Sequence, residues 1–123
     1  MSLNAKTAAI VLGAVFILVG ILGFIPNPLV SPTGLFAVNT MHNLVHILSG
    51  AVLLGGAFSP LGASLGLKII GVVYGLVAVL GVILHHDMLL GLVRVNGADH
   101  ALHFVLAVVI LAAGFMLPDA KRA

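Results

Sequence analysis

Four long apolar stretches alternate with short polar breaks along this chain, and the breaks hold most of its ionisable groups. Ala8 to Ile25 is an unbroken run of eighteen apolar or glycine residues. That is close to the roughly 20 residues a helix rising about 1.5 Å per residue needs to cross a bilayer core. The run outlasts the roughly 7 to 15 apolar residues of a signal peptide and lacks an A-x-A-like site at its end, so it is expected to remain as span 1. Pro26, Pro28, Pro32 and Gly34 break it in a loop shared with Asn27, Ser31 and Thr33. Span 2 is predicted over 38–58, opened by Asn39 as N-cap and closed by Ser59, Pro60 and Gly62. Span 3 is predicted over 67–84 and ends in His85, His86 and Asp87, followed by turn signals at Gly91 and Asn96-Gly97. Span 4, over 98–117, is capped by Asn96 and stops at Pro118. Short connections make residues 1–123 one transmembrane domain.

The polar breaks repeat. Asn39-Thr-Met-His-Asn-Leu-Val-His46 returns 57 positions later as Asn96-Gly-Ala-Asp-His-Ala-Leu-His103, each at the head of an apolar run. The shared pattern is N-x-x-[HD]-[NH]-x-[VL]-H. Span 1 also aligns with span 3 at an offset of 58, matching Gly13 with Gly71, Phe16 with Tyr74, and Gly23 with Gly81. A repeat of two spans gives halves of the same orientation, related by an axis along the membrane normal. The expected fold is therefore all-α: an integral membrane four-helix bundle of two pseudo-symmetric hairpins. Small pairs at Gly71/Gly75, Ala9/Gly13 and Ala51/Gly55 suit close helix approach.

Composition agrees with this reading and adds orientation. The 123 residues are 62% hydrophobic and 7% charged, with mean hydropathy +1.33, too few charges to cover a soluble globule. The absence of cysteine excludes disulfides, thiolate metal sites and thiol nucleophiles. A net charge of +2 is weak grounds for a nucleic-acid partner, and none is expected. Lys6, Lys68, Lys121 and Arg122 fall on the side of the two termini and the loop between spans 2 and 3, whereas Arg94 lies on the other. The positive-inside rule then places both termini in the cytoplasm and every histidine in the outer half.

Spacings of three and four put Asn39, His42 and His46 on one helix face that continues through Ser49, with Asn96, Asp99 and His103 repeating it. Ionisable groups in a membrane face the interior and mark function by default. Two chemistries suit them. His42, His46, Asp99, His100 and His103, joined by His86, offer imidazole and carboxylate ligands for Zn, Cu or Ni. Alternatively, His46 and His103 could ligate one haem or other tetrapyrrole from opposite helices. A structural role is the leading expectation: Asn39 and Asn96 cap helices, and the deep histidines hydrogen-bond across the bundle. No nucleophile lies beside a base and no phosphate-binding loop is present, so an enzyme is not expected.

On Asn39, His42, Asn43 and His46, then Asn96, Asp99, Leu102 and His103, the chain resembles a family of small bacterial four-span membrane proteins catalogued as a domain of unknown function. His100 departs from it, since the pattern places Asn there. The resemblance covers most of the chain and implies a multi-pass protein of the bacterial inner membrane, with no reaction attached. The resulting expectation is a non-enzymatic membrane protein, an accessory or assembly subunit or a homo-oligomer, whose partners are the lipid bilayer and a second copy or a larger membrane complex.

Overall fold

A computed structural model describes residues 3–84 and 88–119. Its order is α1 (Ala5–Leu22), β1 (Val30–Ser31), β2 (Phe36–Ala37), α2 (Thr40–Ala57), α3 (Ala63–Leu84), β3 (Met88–Leu89), β4 (Val93–Arg94) and α4 (Gly97–Met116). The four helices fall where the apolar runs predict, with shifted ends. α1 stops at Leu22 rather than Ile25 because the chain tightens into i→i+3 bonds from Phe24 and Ile25. The Asn27 amide then takes the carbonyls of Leu22 and Ile25 at 3.0 and 2.7 Å, satisfying groups a helix end leaves open. α3 starts at Ala63 rather than 67, after Gly62 turns the chain at φ +90°. Lys68 lies within α3, as span 3 predicts, with its ammonium 4.7 Å from the Phe115 ring centroid.

Short two-residue ribbons replace the plain loops expected between helices. β1 pairs with β2 in parallel, while β3 pairs with β4 antiparallel. Both ribbons lie at the end of the molecule where α2 and α4 begin.

Glycines set how the helices pack. A methyl at Gly13 would sit 2.9 Å from Leu54 Cγ and 3.0 Å from the Gly50 carbonyl oxygen, so α1 and α2 run antiparallel in close contact. At the aligned position of the second half, a methyl at Gly71 would meet Leu111 Cγ at 2.7 Å. Higher up, Gly23 leaves room for the Asn43 amide, and Gly81 does the same for the His100 ring. The repeat is thus a repeat of contacts as well as of letters. α2 and α3 join the hairpins through Gly56 and Gly66, and the Ala5 amide donates to the Pro118 carbonyl across the other seam. The core over the lower half is small and aliphatic: Ala9, Leu53, Leu67 and Ile110 are buried together.

Outward faces are apolar on all four helices, as Leu18, Leu48, Leu76 and Val108 illustrate. Among the described residues, α1, α3 and α4 are long and apolar enough to cross a membrane. α2 has their length, but His42, Asn43 and His46 lower its hydropathy, and all three face inward. The Ala51/Gly55 pair points outward, whereas Gly71 and Gly13 pack within the chain.

Candidate functional site

Both Asn caps form as the boxes require. Asn39 Oδ1 accepts the His42 amide and Asn96 Oδ1 accepts the Asp99 amide, each at 2.9 Å. The same two side chains also reach across the molecule. Asn39 Nδ2 donates to the Leu92 carbonyl at 3.0 Å, and Asn96 Nδ2 donates to the Leu35 carbonyl at 2.9 Å. Each cap therefore ties its own helix to the other half's ribbon, which fixes the start of α2 against the start of α4.

At the third helical position the halves diverge. Asp99 completes a capping box, its Oδ2 accepting the Asn96 amide at 3.0 Å. His42 turns inward instead, with Nδ1 2.7 Å from the Arg94 carbonyl. A carbonyl only accepts, so His42 Nδ1 carries the proton and, in the neutral ring, Nε2 keeps a free lone pair. His46 Nε2 lies 3.1 Å away and must donate to it. That assignment leaves His46 Nδ1 as a bare acceptor, and this atom is buried without a hydrogen-bond partner. His103 Nδ1 is in the same condition.

A layer of rings builds the site. Each helix supplies one at aligned positions: Phe16, His46, Tyr74 and His103, all 5% exposed or less. Phe16 packs against His46 at 5.3 Å between centroids, tilted by 42°, and its counterpart Tyr74 meets His103 edge to face at 5.6 Å. Phe16 and Tyr74 touch at 5.1 Å, edge to face. His42 adds a fifth ring, 4.9 Å from His46 and 5.6 Å from His103. Below the layer, Ser49 Oγ donates to the Val45 carbonyl at 2.7 Å, so the 3.0 Å contact between Ser49 and Tyr74 uses the tyrosine's proton.

Among the described residues, His42, His46 and His103 are the group of possible ligands brought together: one nitrogen from each lies within 4.8 Å of the others. Asp99 lies outside this group and serves the cap. His100 packs against Gly81 with a buried, partnerless Nδ1. His85 and His86 fall outside the described residues. Arg94, which composition marks as the lone outer cation, donates from Nε to the Pro32 carbonyl at 3.0 Å. The deep histidines make no hydrogen bond to one another; it is His42 that bonds across to the other half. Sequence reasoning missed Phe16 and Tyr74 as walls of the site. Their alignment in the repeat was the available signal.

No curated protein and no solved structure matches the chain. The model of one family does, over residues 6–116: the domain of unknown function DUF4383. The chain belongs to that family.

Proposed function

From this membership and the ring layer, we propose that the protein is a four-span membrane protein that binds one transition-metal ion through His42, His46 and His103. Both termini lie in the cytoplasm of the bacterial cell, and the site lies in the outer half of the membrane. The observation that carries the reading is the convergence of three buried imidazole nitrogens within 4.8 Å. The His42 Nδ1 contact with the Arg94 carbonyl supports it, because metal-bound histidines fix their ring in this way through the other nitrogen. An ion would take the place of the proton between His42 Nε2 and His46 Nε2. A haem fits less well, since the His42 ring packs against both His46 and His103.

A structural reading retains one specific support. Asn39 and Asn96 cap their own helices and join the halves by two hydrogen bonds that need no ion. The outward Ala51/Gly55 pair suits packing against a second copy or a larger complex.

The test is metal titration of untagged protein in lipid nanodiscs. About one equivalent of a transition ion is expected, bound more weakly in acid because protons compete for the same lone pairs. Absence of binding by wild type, or undiminished binding by His46→Ala and His103→Ala, would remove the metal reading. Orientation is tested by Leu35→Cys and Leu92→Cys, both at exposed positions. Labelling from outside the cell is expected; labelling only from the cytoplasmic side would reverse the topology.

A further inference from the structure

Three imidazoles alone do not choose among first-row metals, since Zn, Cu, Fe and Ni all accept nitrogen ligands. Charge and coordination number do choose. The three ligands are neutral, and each is 5% exposed or less. Among the described residues, no negatively charged side chain belongs to the ligand group. The Asp99 carboxylate is held in its capping box outside the group, and the chain has no cysteine to supply a thiolate. Tyr74 keeps its proton in the bond to Ser49, so no phenolate is present. A bound ion therefore brings its full charge into a low-dielectric layer. By Born scaling with the square of the charge, a divalent ion costs about four times as much to desolvate there as a monovalent one of similar size.

Coordination points the same way. A zinc ion on three histidines completes its tetrahedron with a water or another ligand. Here the Phe16 and Tyr74 rings pack against His46 and His103, and the two nearby hydroxyls are engaged with each other and with the Val45 carbonyl. What remains is a three-nitrogen set walled by the Phe16 and Tyr74 rings.

We infer that the ion this site selects is monovalent copper, Cu(I), held three-coordinate by His42, His46 and His103. The inference rests on the metal reading proposed above and narrows it to one ion. Binding is ligand exchange: Cu(I) leaves a labile carrier, three Cu–N bonds form, and the proton between His42 and His46 moves to His46 Nδ1. No change of oxidation state is involved.

The test uses the full untagged chain in nanodiscs under anaerobic conditions. Cu(I) is presented in bicinchoninate buffer and Zn(II) as its sulfate against a chromophoric chelator. One Cu(I) per chain is expected, bound at least about 1000-fold more tightly than Zn(II), given the charge penalty on the divalent ion. Ag(I), a soft monovalent ion, should displace it. Zn(II) binding as tightly as Cu(I) or more so would overturn the ion's identity and leave the metal reading standing. Failure to bind either ion would overturn both.

Discussion

The two halves of the molecule share a scaffold and differ in chemistry. Residues 5–57 and 63–116 repeat the Asn caps, the cross-links to the opposite ribbon, the deep histidine and the glycines that admit the partner helix. They differ at three matched positions. Where the first half turns His42 inward, the second uses Asp99 to finish a cap. Phe16 becomes Tyr74, whose hydroxyl bonds Ser49. Asn43 becomes His100, each fitted against a glycine. On the proposed reading, the symmetric pair His46 and His103 would give two ligands, and the break in symmetry at His42 would supply the third.

Exchanging residues between the halves should separate the two roles. The largest effect is expected at the third helical position. His42→Ala removes a ligand and should weaken metal binding by about 100-fold or more, beyond what loss of a supporting residue does. Asp99→Ala should leave affinity nearly unchanged and reduce thermal stability by about 1 kcal/mol, the usual worth of a cap. Equal losses of affinity in both variants, measured by chelator competition, would show that the halves are not divided in this way.

Next comes a packing contrast. A methyl at Gly50 would lie 2.5 Å from the Gly13 carbonyl oxygen, whereas one at Gly75 would have Ala107 Cβ as its nearest neighbour, at 3.9 Å. Gly50→Ala should destabilise by about 1–3 kcal/mol through overpacking. Gly75→Ala should be neutral or stabilise by up to about 1 kcal/mol through helix propensity. Thermal unfolding in detergent reads both, and the reverse order would contradict the packing described.

Smaller and matched effects are expected for Asn39→Ala and Asn96→Ala. Each loses a cap and a bond to the opposite ribbon, about 1–2 kcal/mol in the same unfolding assay. Clearly unequal losses would break the symmetry of the scaffold. The smallest effect belongs to Tyr74→Phe, which gives the second half the first half's residue. Losing the bond to Ser49 should lower stability by about 1 kcal/mol and leave metal affinity intact; a large loss of affinity would make the hydroxyl a ligand.

Much of this frame was legible in the sequence because caps, periods and glycines leave local signatures. Asn39 and Asn96 announce helix starts, and the spacing of His42 and His46 predicts a shared inward face. Other features leave no such trace. The acceptor for His42 is a backbone carbonyl 52 residues away, and any residue could supply it. Spacing likewise places Asp99 on the same face as His103, yet the amide of Asn96 claims its carboxylate first. The ribbons were missed because two-residue strands carry no period. Helix rotation, which brings Phe16 and Tyr74 against the histidines, follows from the glycine contacts between helices rather than from either helix alone.

X-ray absorption of the copper-loaded protein tests the central claim most directly. Three nitrogen scatterers at about 2.0 Å with imidazole multiple scattering are expected, falling to two in His42→Ala. A sulfur shell, or a first shell unchanged by that substitution, would place the ion elsewhere and contradict the assignment of His42, His46 and His103.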